Sequence, residues 1–328
     1  MLKDKTGKQT LPQVALFLKL PGSMGSDTSF HHPGFNKLLS RANIKARPDT
    51  SLLELYLNFN ETGEQLGAAP ILAKSEGIPI DGKNWIVAQL IQQHAGMNDV
   101  FTTPAAFNPE HEDLYAKYGN ILGHTTGCED IYRLKTHPTI FLLSYSAKQN
   151  FKTIPLERAK HSPMSASLPT GSGAHLWISK ANEFQMAANL LLGSLSASNT
   201  TPNGVWFWGE GTLPQRKNTN ISVNFESAIL QTLAKGMGNT FTPEGDIPNE
   251  TELTIIERTI KTPDDLFAVT SLMDSLTKKI KQLKLSRLDI FVEVGPKIFE
   301  VSVNFVNLLK IWRPRANANA LFFNESAI

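Results

Sequence analysis

Residues 14–20 read Val-Ala-Leu-Phe-Leu-Lys-Leu and are followed by Pro21-Gly22, and the predicted fold class rests on this segment. A short apolar run ended by proline and glycine is typical of a buried strand that enters a loop. A loop rich in Gly, Ser and His follows. A helix is predicted next, because apolar residues recur at helical spacing at Phe35, Leu38, Leu39 and Ala42. The chain thus begins as the strand, loop and helix of an α/β protein.

Later segments predict two further strands and a hairpin. Residues 139–145 read as a strand, and so does the nearly unbroken apolar run 204–208. A strand as apolar as 204–208 indicates cover on both faces, as in a parallel or mixed sheet. Alternating apolar residues at 288–294, followed by the run 298–306, predict two strands that form a hairpin at a sheet edge.

Two long helices are predicted with particular clarity. The first has a core stripe at Trp177, Ala181, Phe184, Ala188 and Leu191. The second begins at the N-cap Thr262, with Pro263 at the first helical position and Asp265 at the capping-box position.

Composition and charge exclude several classes of protein. The chain is 41% hydrophobic and 19% charged, which is typical of a folded protein with a real core. Its 32 Lys and Arg against 30 Asp and Glu leave a net charge of +2, which gives no support for a nucleic-acid partner or an anionic membrane. The single cysteine, Cys128, excludes an internal disulfide framework and favours a reducing compartment.

Membrane and targeting signals are weak. The run 14–20 is interrupted by Lys19 and followed by Pro21, which is unlike the apolar region of a secretory signal. No other stretch approaches the ~20 apolar residues of a membrane span. We therefore expect a cytoplasmic protein without a membrane partner.

Polar residues beside the Trp177 helix and the 204–208 strand form a candidate ligand site. In an open α/β sheet, a strand that ends in Gly-Glu-Gly lies where ligand pockets tend to form. The candidate ligand-binding residues are Asn182, Glu183, Gln185, Asn203 and Glu210. The alternative interpretation is a scaffold, in which the helix packs on a central strand and the glycines permit close approach.

Two clusters offer candidate metal ligands. His31 and His32 lie close to Asp27 in the first loop, and His111-Glu112-Asp113 forms the second cluster. Metal sites usually gather three or four convergent ligands, and adjacent loop histidines more often point to different sides. No P-loop, nucleophile elbow or H-E-x-x-H motif is present, so catalytic residues stay unassigned.

The central block of the chain carries a family resemblance. It comprises Leu168-Pro-Thr-Gly171, Trp177, Asn182-Glu-Phe-Gln-Met186 and Pro202-Asn-Gly-Val-Trp-Phe-Trp-Gly-Glu-Gly211. This block is similar to the signature of bacterial RpfE-type regulatory proteins, a family often labelled cofactor-independent phosphoglycerate mutase-like. The resemblance implies a bacterial regulatory protein.

A more distant resemblance involves residues 202–211 and Leu233-Ala-Lys-Gly-Met-Gly238. Both segments are similar to parts of the archaeal-type cofactor-independent phosphoglycerate mutase. That family implies an alkaline-phosphatase-like α/β core with a central mixed sheet, two divalent metals, a Ser or Thr nucleophile and an inserted α+β domain. The implied division is a first core segment at 1–47, an inserted domain at 48–201 and a second core segment at 202–328, with a ligand pocket between core and inserted domain.

The chain departs from that family where the chemistry should lie. The family's first strand ends in Asp-Gly, whereas this chain has Pro21-Gly22. The family's Thr-Pro-Asn-x-Asp helix start is replaced by His32-Pro-Gly-Phe-Asn36, and no histidine follows His175. A two-metal phosphoryl-transfer site needs several carboxylates and histidines, so no metal ligand or nucleophile is carried over.

Three functions remain open. The first is a phosphoglycerate mutase-like pseudoenzyme that binds a small molecule or a protein and uses no cofactor. The second is an active metal-dependent mutase or phosphohydrolase, with Mn²⁺ or Zn²⁺ held by Asp27, His31 and His32. The third is a structural partner protein. The departures from the family favour the first.

Overall fold

The computed structural model describes residues 11–20, 33–47, 50–60, 67–80, 82–193, 201–213, 220–243, 247–248, 251–295 and 297–309. The chain forms two compact units. The first comprises residues 1–52, 218–234 and 238–328, and the second comprises residues 53–217 and 235–237.

The described residues form the following elements. The strands are β1 (Gln13–Leu20), β2 (Asn43–Arg47), β3 (Asn84–Ala95), β4 (Val100–Pro104), β5 (Asp130–Arg133), β6 (Ile140–Tyr145), β7 (Gly204–Gly211), β8 (Ile221–Asn224), β9 (Thr240–Phe241), β10 (Leu253–Thr259), β11 (Arg287–Val294) and β12 (Lys297–Asn304). The helices are α1 (Pro33–Arg41), α2 (Leu52–Asn60), α3 (Ala68–Ser75), α4 (Glu112–Thr126), α5 (Leu156–Ala159), α6 (Ala174–Gly193), α7 (Ala228–Met237), α8 (Pro263–Lys281) and α9 (Phe305–Leu308).

The first unit is built on a mixed seven-stranded sheet in the order β2-β12-β11-β1-β10-β8-β9. Strands β1, β8, β9, β10 and β11 are parallel, whereas β12 is antiparallel to both of its neighbours, β11 and β2. The predicted α/β class with a central mixed sheet is therefore confirmed.

The centre of this sheet is buried on both faces. Leu16 and Leu18 of β1 pack on one face in a cluster with Ile290 and residues of α8 and α1. On the other face, Phe17 meets Phe291 edge to face, with ring centroids 5.5 Å apart. Cover on both faces explains why β1 is an apolar run instead of an alternating pattern.

The connections of the parallel strands define a switch point. From β10 the chain passes through α8 to β11, on the far side of β1, whereas from β8 it passes through α7 to β9 in the opposite direction. The chain therefore leaves the neighbouring strands β8 and β10 towards opposite edges of the sheet. Open α/β sheets form ligand crevices beyond the carboxyl ends of strands at such a point.

The predicted hairpin is present, but it lies inside the sheet. Strands β11 and β12 are antiparallel neighbours, as expected. The predicted edge position is wrong, because β1 pairs with β11 on one side and β2 pairs with β12 on the other. The five-residue strand β2 comes from a distant part of the sequence. The apolar pattern of the hairpin therefore cannot predict the pairing of β12 with β2.

The capping prediction for α8 is confirmed. The Thr262 side chain accepts a hydrogen bond from the backbone N–H of Asp265, and the Asp265 side chain accepts from the N–H of Thr262. This reciprocal pair fixes the start of the helix directly after β10.

The second unit contains an antiparallel sheet in the order β4-β3-β6-β5, with β7 paired to the other side of β3. Helices α4 and α6 share a hydrophobic cluster with this sheet. The predicted core stripe of α6 is confirmed, since Trp177, Phe184 and Ala188 are buried and Ala181 and Leu191 pack against the same cluster.

Strand β7 differs from the prediction in its surroundings. It pairs with β3 in the antiparallel sheet, so it lies in the second unit, whereas the boundary expected at residue 202 assigns it to the core. Its apolar run still has cover on both faces: Val205 and Phe207 lie in the cluster with α6, and Trp206 and Trp208 are also buried. An apolar run therefore predicts that a strand is buried, but it does not predict whether the strand pairs in a parallel or an antiparallel sheet.

Among the described helices, none combines the length and the apolar character that crossing a membrane requires.

Candidate ligand site

Two of the predicted site residues meet around Gln93 of β3. Gln185 of α6 donates from Nε2 to Oε1 of Gln93 at 2.5 Å. Asn203 accepts from the backbone N–H of Gln93 at 2.7 Å and donates from Nδ2 to its carbonyl oxygen at 3.3 Å. The Asn203 side-chain amide therefore bonds the backbone of Gln93 as the backbone of a neighbouring strand would. In this way it extends the pairing of β7 with β3 by one residue. Gln93 has no distinguishing signal in the sequence.

The other two residues on α6 point to different surroundings. Asn182 borders an apolar crevice of about 30 Å³ between α6 and β7. That volume is on the order of one or two water molecules. Glu183 is exposed and accepts a hydrogen bond from the Ser179 hydroxyl at 3.0 Å.

Glu210 lies apart from these residues, near the end of β7. Its side chain is buried, and the Thr153 hydroxyl donates to its Oε2 at 3.3 Å. Burial raises the pKa of the Glu210 carboxyl, and the hydrogen bond from Thr153 opposes that shift in part. All five predicted residues thus lie in the second unit, without converging on one cavity among the residues that the structure describes.

The candidate metal ligands Asp27, His31 and His32 lie outside the described residues. In the second cluster, Glu112 forms an ion pair with Arg133 at 2.7 Å. Across the described ranges, no three His, Cys, Asp or Glu side chains are grouped so that they could hold a metal ion. The described residues therefore do not fit a two-metal site.

A cavity of about 290 Å³ lies at the switch point of the first unit. Its walls come from the segment after β8, the end of β10 and the first half of α8. The lining residues are Glu226, Arg258, Thr259, Asp265, Ala268, Val269 and Leu272. Three charged groups therefore face a cavity whose floor on α8 is apolar.

A buried carboxylate holds the strand ends beneath this cavity. Glu257 of β10 is fully buried, and its Oε2 accepts from the backbone N–H of Ser227 at 2.8 Å. Its Oε1 has no partner with hydrogen-bond geometry, and the Lys19 ammonium, 2.5 Å away, balances its charge as an ion pair. One side chain thus joins β1, β10 and the segment that follows β8.

Arg258, the next residue of β10, is held in the cavity wall. Its Nη1 donates to Oδ1 of Asn224 at 2.7 Å and to the Glu257 carbonyl oxygen at 2.6 Å. Glu226 accepts from the backbone N–H of Thr259 at 2.8 Å, and its Oε1 lies 3.9 Å from Nε of Arg258. The charged wall is therefore fixed by backbone and amide groups.

Asp265 completes the polar wall. Its Oδ2 accepts from the backbone N–H groups of Lys261 and Thr262 at 2.9 and 2.8 Å. These hydrogen bonds lower the pKa of the Asp265 carboxyl, so it is a carboxylate at neutral pH. A carboxylate has about four acceptor positions, so Glu226 and Asp265 can both still accept from a ligand.

The residues of this cavity were not predicted from the sequence, because they come from three distant segments. The signal that could have indicated them is the apolar pair Ile255-Ile256 followed directly by Glu-Arg-Thr. Charged residues directly after a buried strand often lie at the edge of a sheet where ligands bind.

Comparison with solved structures gives distant likenesses. One is to a cofactor-independent phosphoglycerate mutase from Thermoplasma acidophilum DSM 1728, at 12% identity and a TM-score of 0.41, covering 90% of each chain. Another is to the PH0037 protein from Pyrococcus horikoshii, at 12% identity and a TM-score of 0.42, covering 90% of this chain and 88% of that one. No protein-family model and no curated protein matches. A likeness at this level says nothing about the activity of this chain.

The ion pair beneath the cavity predicts an asymmetric response to mutation. Lys19→Met leaves a fully buried carboxylate without a cation, so we expect a loss of about 3–5 kcal/mol in the unfolding free energy. Adding Glu257→Gln should restore most of this loss, because the amide needs no cation and can still accept from Ser227. The unfolding free energy of the first unit alone can be measured by hydrogen exchange of peptides from β1 and β10 in increasing urea. A loss of less than about 1 kcal/mol in the unfolding free energy of Lys19→Met alone would contradict this role of the ion pair.

Glu210 predicts a pH dependence of stability in the second unit. The folded protein holds the Glu210 proton more tightly than the unfolded chain does. Its contribution is therefore complete below the unfolded pKa of about 4.3 and is lost as pH rises through the folded pKa. Glu210→Gln should thus gain stability relative to the wild type with rising pH, as measured by urea unfolding with tryptophan fluorescence. The control Glu183→Gln replaces an exposed carboxylate of the same unit. A pH-independent difference between Glu210→Gln and the wild type refutes the assignment.

Proposed function

We propose that this chain is a ligand-binding protein with a regulatory role, and that its ligand occupies the cavity between β8, β10 and α8. In this proposal it is a phosphoglycerate mutase-like protein without that family's metal and nucleophile motifs. One observation supports the binding role above all. The cavity at the switch point of the sheet has a wall of charged side chains held in place by hydrogen bonds and a floor of apolar side chains from α8.

The charges of the cavity favour a ligand with a cationic amine. Glu226 and Asp265 place two carboxylates in the lining against the single cation Arg258. An anion would find few donors at the start of α8, because Thr262 accepts from the Asp265 N–H and Asp265 accepts from the N–H of Lys261 and Thr262. An amine can meet the carboxylates while its apolar part lies on Val269 and Leu272.

The same contacts support binding in preference to proton-transfer catalysis. General acid–base catalysis is most efficient when the pKa of the catalytic group lies near the working pH. The pKa of Asp265 is moved away from that range, and its carboxylate already caps α8. An arginine side chain stays protonated at physiological pH, so it cannot act as a general base.

The departures in the sequence support the absence of phosphoryl transfer. Asn36, which stands where the family has an aspartate, is a neutral residue buried in α1. A neutral amide is a weaker ligand for a divalent cation than a carboxylate. The proposal therefore includes no metal and no cofactor.

A matched pair of small molecules tests the ligand class. Benzylamine and benzoate have the same apolar ring and opposite charge, so we expect calorimetric titration of the full chain to detect benzylamine and not benzoate. Glu226→Gln removes one charged acceptor, which should weaken benzylamine binding by about tenfold.

The control is Asp264→Asn, which removes an exposed carboxylate of the same helix turn that does not line the cavity. It should leave the affinity unchanged. Preferential binding of benzoate, or equal binding of benzylamine by Glu226→Gln and the wild type, would refute this assignment.

A further inference from the structure

A second cavity, of about 240 Å³, lies in the first unit at a different part of the sheet. It crosses β2, β12 and the start of β11. Its lining residues are Asn43, Lys45, Arg287, Glu300, Ser302, Val303, Asn304 and Asn307. Seven of these eight residues are polar or charged, which distinguishes this cavity from the one above the apolar floor of α8.

Arg287 is held at this cavity by two side-chain hydrogen bonds. Its Nε donates to Oδ1 of Asp289 at 2.7 Å, and its Nη2 donates to the Ser302 hydroxyl at 3.1 Å. Ser302 in turn donates to Asp289 at 2.5 Å. These contacts fix the plane of the guanidinium and leave the two N–H groups of Nη1 without a partner among the described residues.

The nearby carboxylates are already matched by cations. Glu300 is buried and accepts from Nε of Arg47 at 2.6 Å, with Nη2 of Arg287 3.7 Å from its other oxygen. Asp289 is occupied by Arg287 and Ser302. Three cations, including Lys45, therefore stand against two carboxylates in this part of the sheet.

The cationic groups that remain around this cavity are hydrogen-bond donors. Lys45 is exposed, and no described residue accepts a hydrogen bond from its ammonium. Asn304 uses its Oδ1 to accept from the N–H of Asn307, which leaves its Nδ2 as a donor. Lysine and arginine side chains have no acceptor at all, so Lys45 and Nη1 of Arg287 need a partner that can accept.

We infer that this cavity binds the oxyanion of a small molecule, with Nη1 of Arg287 and the ammonium of Lys45 as its main contacts. A phosphate or carboxylate supplies the acceptors that these donors lack, and a planar guanidinium fixed at its other edge is preorganised to bind one. The site is separate from the amine site proposed above, and its charge preference is the opposite.

The size of the cavity limits the ligand. At about 240 Å³ it is below the roughly 300–1,000 Å³ of pockets for drug-sized ligands. A phosphorylated or carboxylated small molecule therefore suits it better than a long polyanion, which needs an extended row of cations.

Titration of the full chain with inorganic phosphate and with malonate tests the inference. Both should bind the wild type at low ionic strength, and Lys45→Gln should weaken both by about tenfold. Because Lys45 is exposed and has no described partner, this variant should fold normally. Arg287→Lys keeps the charge but removes the guanidinium edge, and it should also weaken both anions.

Lys37→Gln is the matched control, since it removes an exposed lysine of α1 in the same unit. It should leave both affinities unchanged. The inference is overturned if neither anion binds, or if Lys45→Gln and Arg287→Lys bind both as tightly as the wild type. Binding of a short RNA without binding of phosphate also overturns it.

Discussion

The carboxylate of Glu257 is the constraint on which the architecture of the first unit depends. It is fully buried, it forms an ion pair with Lys19 of β1, and it accepts from the backbone of Ser227 after β8. A buried ion pair contributes little net stability, but a buried carboxylate without its cation costs several kcal/mol. The ion pair therefore requires the carboxyl ends of β1 and β10 and the segment after β8 to lie next to one another.

This arrangement produces the amine site through the alternation of side chains along β10. Successive residues of a strand point to opposite faces, so Glu257 lies on one face and Arg258 lies on the face that carries α8. The buried ion pair on the first face fixes the position of the charged wall on the second. The capping box of α8 adds Asp265 to that wall, so one residue both starts the helix and faces the ligand.

Sequence patterns predicted the elements that depend on local chemistry. The apolar run of β1, the core stripe of α6 and the cap at Thr262 were predicted because their signals lie within a few residues. The strand direction of β7 was missed, because burial on both faces gives the same apolar run in a parallel and an antiparallel sheet. The interior position of the β11 hairpin depends on β2, which lies about 240 residues earlier in the chain, and no local pattern reports such a pairing.

Whether this chain transfers phosphoryl groups is measured by the release of phosphate from a generic phosphate monoester by the purified full chain in added Mn²⁺, paired with elemental analysis. A role in binding without phosphoryl transfer predicts no turnover and no stoichiometric metal. Near-stoichiometric metal with turnover that is lost on replacing His31 and His32 would contradict it, and would establish a metal-dependent enzyme instead.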